Sequence, residues 1–178
     1  MMSQDWKDRI VVMVYVKQEL MKLDVEGLWP HHFPELAASE EELRRVEASL
    51  GYSLDKDYRG FLEMANGWKG FCQTVDLFGT HELLNSSIMQ YAKTLLDAVE
   101  DDVINATGFS RSELLPIATT KYDKDLFVLS LPSSHAPGTV IWLAGEEVDR
   151  YPNFVEYYLA MIDYNRLLVE DMSKQNIK

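Results

Sequence analysis

The residues of this 178-residue chain able to do chemistry are four histidines, one cysteine and a surplus of carboxylates. His81-Glu82-Leu83-Leu84-Asn85 resembles a zinc-hydrolase signature, in which two imidazoles one helical turn apart hold the metal and the glutamate acts as base. Asn85 stands where the second imidazole is needed, so the ligand pair is missing. His31 and His32 are adjacent and tend to point apart, which suits packing or exposure better than shared ligation. Asp123 and Asp125 begin like a calcium loop, but Val128 fills the glycine position and Ser134 the terminal acidic position. Cys72 has no second cysteine for a disulfide or a thiolate cluster, and reads as a buried, inert thiol. No phosphate-binding glycine loop or nucleophile elbow occurs. These residues lead to the expectation of a protein that is not an enzyme and that holds no cofactor and no metal.

The carboxylates remain. Asp97, Glu100, Asp101 and Asp102 crowd what reads as the C-terminal end of one helix, where negative charge opposes the helix dipole. Local stability does not ask for them there, which favours a partner-facing role. Glu146, Glu147 and Asp149 form a second cluster before the last helix, on what otherwise reads as a solvated face or loop. The formal net charge is −12, and nucleic-acid binding, which needs a basic face, is not expected. An acidic surface instead steers a basic protein toward it. Trp29, Trp68 and Trp142 are the candidate anchors for such a contact, because large rings often dominate interface energy.

These residues have to be positioned by a fold. Apolar residues make up 47% of the chain and charged residues 26%, as in an ordinary globular protein. Trp6, Ile10, Met13, Val16, Leu20 and Leu23 recur at helical spacing, predicting a helix from about Ser3 to Leu23. Ser39 and Glu42 have capping-box spacing and start a second helix that Gly51 ends. Asp55 or Asp57 starts a third, with Tyr58, Phe61, Leu62 and Ala65 inward and Asn66-Gly67 as its C-terminal cap. One long helix is expected from about Ser87 to Asn105. Strands follow at Leu114 to Thr120, Leu126 to Leu131 and Thr139 to Leu143. A last helix runs from about Pro152, in its first turn, to Asp171. Helices first and strands in consecutive runs mean α+β with an antiparallel-rich sheet. The apolar run from Ile10 to Val16 is far short of the roughly 20 residues a membrane span needs. Membrane association is therefore not expected, and a cytoplasmic location is.

The block from Glu42 to Leu62, leading into Asn66-Gly67, resembles the SUKH superfamily of Smi/Knr-type cell-wall regulators and bacterial immunity proteins. The family pattern is a helix ending in Leu-Gly, then Leu-Pro-x-Asp-Tyr, Phe-Leu and Asn-Gly. Here these are Leu50-Gly51, Asp57-Tyr58, Phe61-Leu62 and Asn66-Gly67, with Asp55 where the family usually has proline. Leu115 to Ala118, Leu126 to Leu129 and Val140 to Trp142 resemble its later strands. The resemblance implies a single SUKH-like domain over 35–171, with antiparallel-rich sheet packed by helices. Residues 1–34 are a helical extension with an aromatic loop, and 172–178 a frayed tail. It also implies a binding function: an immunity protein neutralising a basic, nucleic-acid-targeting toxin by direct contact. The alternatives are a regulatory scaffold like the cell-wall members, or an unrecognised hydrolase.

Overall fold

Two consecutive strands, β3 (Leu114–Thr119) and β4 (Leu126–Ser130), are buried along their whole length. A strand buried on both faces belongs in the middle of a sheet covered on both sides. The computed structural model, which describes residues 2–176, shows that arrangement. Six strands run antiparallel in chain order: β1 (Trp68–Cys72), β2 (Val75–Leu77), β3, β4, β5 (Val140–Leu143) and β6 (Glu147–Tyr151). Alternation along each strand decides which helix each side chain meets. Leu126 and Leu143 meet Leu95 of α5 (Ser87–Ala98). Phe127 and Trp142 turn the other way, to Tyr157 and Tyr164 of α7 (Phe154–Gln175). The chain is an α+β domain with helices on both faces of an antiparallel sheet.

The N-terminal helix α1 (Met2–Leu23) is built into this body. Its Trp6 is packed among Phe61, Phe154 and Tyr158, with ring centroids 5.2–5.7 Å apart. At the other end, the Asn176 side-chain amide donates to the Leu23 carbonyl at 3.2 Å. The starts of α1 and α7 thus lie together, and so do their ends, which makes the two helices parallel neighbours. Two polar residues are buried here, Lys17 on the inner stripe of α1 and Asp24 just beyond its end. The Lys17 ammonium donates to the Gly70 carbonyl at 2.6 Å, and the Asn165 amide of α7 donates to the Phe71 carbonyl at 3.3 Å. An edge strand exposes unpaired carbonyls; on β1 the α1–α7 pair supplies their donors.

Local signals in α2 (Glu40–Leu50) and α3 (Lys56–Leu62) act as the sequence predicts. Ser39 accepts from the Glu42 N–H while Glu42 accepts from the Ser39 N–H, and Gly51 closes α2 with φ of 81°. Asp55 caps α3 by accepting from the Asp57 and Tyr58 N–H groups.

Several expectations need correction. The helix α3 ends at Leu62, so Asn66-Gly67 does not cap it; Asn66 binds the short helix α4 (Thr80–Leu83) instead. The single helix expected over 87–105 is two, because Val99 and Glu100 adopt extended backbone between α5 and α6 (Asp101–Thr107). Glu147 and Asp149 lie on edge strand β6, not in a loop. Pro152 precedes the cap Asn153 and stays outside α7. The tail expected to fray continues α7 to Gln175; residues 177 and 178 lie outside the described residues.

Candidate interaction surface and groove

The break between α5 and α6 changes the meaning of the first acidic cluster. Glu100 sits at the N-cap of α6 and Asp101 and Asp102 in its first turn, where the dipole favours negative charge. Arg111 bridges the break. It donates to the Leu96 and Val99 carbonyls at the end of α5 and pairs with Asp101 at 2.5 Å. Only Asp97 stands at the unfavourable helix end, so the dipole argument for a partner-facing role fails for the other three.

The structure nevertheless brings the two clusters to one side. Ala98 and Val99 of α5 line a depression of about 130 Å³ together with Leu143 and Gly145 of the β5–β6 turn. Asp97 and Glu100 are chain neighbours of the lining residues on one side and Glu146 of those on the other. Lys124 also lines it. Glu147 is neutralised by Arg150, which makes paired contacts of 2.7 and 2.9 Å and also donates to the Thr107 carbonyl. Among the described residues, Asp97, Glu100, Asp102, Glu146 and Asp149 have no cation within ion-pair distance.

The tryptophans do not join this surface. Trp68 is buried, and its indole N–H donates to the His32 carbonyl at 2.9 Å, so it cannot anchor a partner. Trp142 stacks on Phe127 and donates to Asp125 at 2.7 Å, on the sheet face opposite α5. Trp29 is half-buried in the loop after α1. That loop is organised by buried Asp24, which accepts from the Leu28 and Trp29 N–H groups and lies 2.7 Å from His31 Nε2. Burial raises the Asp24 pKa, but these donors outweigh it and hold the carboxyl below its ordinary value.

A second concavity is a groove that the sequence did not announce. Two adjoining hollows of about 420 and 390 Å³ share Glu35, Asn66, Lys69, His81 and Glu82. The first extends to Asp76, Lys121 and Tyr122 and to the N-terminal turn of α5; the second extends to Leu36 and Glu42. Its floor is fixed by a close approach of two glycines. A Cβ on Gly67 would lie 2.6 Å from the Gly79 nitrogen, and one on Gly79 would lie 2.1 Å from the Asn66 carbonyl oxygen. Gly67 also has φ of 91°, a region other residues rarely adopt. Asn66 secures the junction through its side chain: Oδ1 accepts from the Thr80 N–H at 2.7 Å and Nδ2 donates to the Thr80 hydroxyl at 2.8 Å.

The groove is equipped for binding. Two of its hydroxyls serve the fold: Ser86 caps α5 and donates to the Glu82 carbonyl, and Thr74 bonds Thr120. His81 is almost fully exposed, and Asn85 lies beyond the end of α4 with φ of 67°, so the zinc-like spacing never forms one helical face. Cys72 is buried elsewhere, and burial pushes its thiol up to about 12. Asp125 is engaged by Trp142. Among the described residues, no group of three or more His, Cys, Asp or Glu side chains is placed to hold a metal ion. Nor is any helix among them long and apolar enough to cross a membrane.

The profile of the SMI1 / KNR4 family (SUKH-1) matches residues 37–160, well over half of the chain. The chain belongs to this family. The matched segment of the SMI1/KNR4 domain begins just before α2 and stops within α7. It contains the whole sheet and the glycine floor of the groove. Helix α1, the Pro30 to Glu35 wall of the groove and the second half of α7 lie outside it. No curated protein matches the chain.

The groove was legible only in part. Asn66-Gly67 stood out as a family motif, but its role is a contact with Gly79 and Thr80, twelve or more residues on, that no local pattern encodes.

Proposed function

We propose that this SMI1/KNR4 domain is an immunity protein, which binds a basic, nucleic-acid-targeting toxin domain in the cytoplasm and neutralises it by covering its working surface. The observation that carries the reading is that carboxylates without an ion-pair partner, in a chain of net charge −12, adjoin in sequence the residues that line the depression between α5 and the β5–β6 turn. A single-signed surface raises the rate of encounter with a partner of opposite charge and rejects acidic competitors. Family membership supports binding as the mode of action.

The test is to sequence the genes flanking this one and to co-express the chain with a toxin domain encoded there; flanking genes that encode none count against the reading. Recovery of a stable complex together with protection of the cells is the expected result. Free toxin and unprotected cells overturn the reading. So does a cell-wall defect on deleting the chain in a host without the toxin, since that result assigns it to regulation.

A further inference from the structure

We infer that the groove at the N-terminal end of α5 receives an extended, arginine- or lysine-bearing segment of a partner protein. This rests on the reading of the chain as a protein-binding domain, and names the part of the partner that the domain grips.

Three carboxylates in the groove are held in place by one oxygen each. Asp76 accepts from the Gly70 N–H at 2.8 Å, Glu82 from the Gly79 N–H at 2.9 Å and Glu42 from the Ser39 N–H at 2.8 Å. The second oxygen of each makes no hydrogen bond among the described residues; that of Glu82 lies 3.6 Å from His81 Nδ1. A carboxylate has two oxygens and roughly four lone-pair sites. Each side chain is thus immobilised before a ligand arrives and presents a free acceptor, so little conformational entropy remains to be lost on binding. Guanidinium and ammonium groups, which carry only donors, are the matching chemistry.

The shape selects a chain over a compact ligand. The hollows adjoin and open to solvent, with Tyr122 lining one and Leu36 the other, 85% and 90% exposed. An extended segment can follow such a course and cover both side chains. Four carboxylates, Glu35, Glu42, Asp76 and Glu82, face two lysines, Lys69 and Lys121, so the lining favours a cationic segment. A second copy of this chain, itself strongly acidic, is a poor occupant. The groove and the acidic depression lie at opposite ends of α5, about 18 Å apart at 1.5 Å per residue. One partner of ordinary interface size reaches both.

Backbone-amide NMR of the full chain, titrated with a short Ser-Arg repeat peptide, tests the inference; Ser-citrulline and Ser-Glu peptides are the comparisons. Perturbations are expected at Gly67, Asp76 and Glu82, with the arginine peptide binding best. The double variant Asp76→Asn, Glu82→Gln keeps an oxygen for each cap but loses the charge, and should weaken binding about tenfold or more, as loss of charge-assisted hydrogen bonds does. Its amide dispersion shows whether it is folded; if it is not, Glu35→Lys, at an exposed position whose side chain makes no hydrogen bond among the described residues, carries the same expectation of weaker binding. Perturbations clustered near Gly145, equal binding of the uncharged or acidic peptide, or undiminished binding by the folded double variant or by Glu35→Lys overturns the inference. Full toxin neutralisation by a double variant that no longer takes the peptide also removes the groove and leaves the immunity reading standing. Arginine-peptide binding in the groove by a chain that fails to neutralise the toxin does the reverse.

Discussion

Asn66 and Thr80, fourteen residues apart, are joined by two hydrogen bonds that use both ends of the Asn66 side-chain amide. The pair clamps the start of α4 to the turn after α3, and Gly67 and Gly79 meet directly beneath it. Replacing Asn66 by alanine leaves the Thr80 N–H and hydroxyl without their partner, and each unsatisfied buried group costs about 1–3 kcal/mol. Urea denaturation of Asn66→Ala should show a loss in that range. Gly79→Ala should lose more, because its Cβ would meet backbone rather than a movable side chain. An unchanged midpoint for Gly79→Ala would contradict the description of the groove floor.

Trp6 makes α1 a structural part of the domain, although that helix precedes the matched family segment. Its ring is enclosed by Phe61, Phe154 and Tyr158. Truncating a buried tryptophan to alanine costs about 3–5 kcal/mol. Trp6→Ala should therefore lower global stability by that amount, with one cooperative transition followed at once by far-UV and near-UV circular dichroism. Loss of α1 signal in a separate, earlier transition would make the helix an independently melting extension.

Lys17 gives the fold a pH signature. Burial lowers its pKa below the ordinary lysine value; its neighbour Cys72 opposes the shift but does not cancel it. Between the lowered folded pKa and the unfolded value near 10.4, the unfolded chain binds more protons. Stability from this group therefore rises with pH across that window. Chemical denaturation of the wild type and of Lys17→Met should show the wild type gaining on the variant as pH is raised from neutral toward that value. A constant difference would mean that Lys17 is not buried as described.

Arg111 and Asp101 separate structure from recognition in the first acidic cluster. Asp101 is 83% exposed, and surface ion pairs contribute about 0–1 kcal/mol. Asp101→Asn should hardly change stability. Arg111→Ala also strips the donors from the Leu96 and Val99 carbonyls at the end of α5, and should cost about 1–3 kcal/mol. Thermal denaturation of the two variants side by side checks the order; equal losses would contradict it.

Where the sequence could be read, the signal was local. Ser39 with Glu42, Asp55 before Tyr58, and the apolar runs of β3 to β5 each carry their meaning within a few residues. The misreadings share a different cause. The burial of Lys17 on α1 and of Asp24 just after it has no local mark, because the β1 edge and the following loop supply their partners. The helical period of Ile88 to Val99 runs on into Val103 in phase, which hid the break that Arg111 stabilises. Edge strand β6, with Glu147, Asp149 and Arg150 exposed or half-buried, lacks the apolar density that revealed its neighbours. The groove depends on contacts between separate elements, which spacing alone does not show.

The central claim is that this domain acts by occupying a partner rather than by turning over a substrate. Stoichiometry reads that difference directly: the toxin domain's activity is titrated with increasing amounts of the purified chain, and each mixture is followed over time. Binding predicts that activity falls linearly, ends at equivalence and does not change on longer incubation. Progressive loss of toxin activity at a small fraction of equivalence would reveal catalysis and contradict the account.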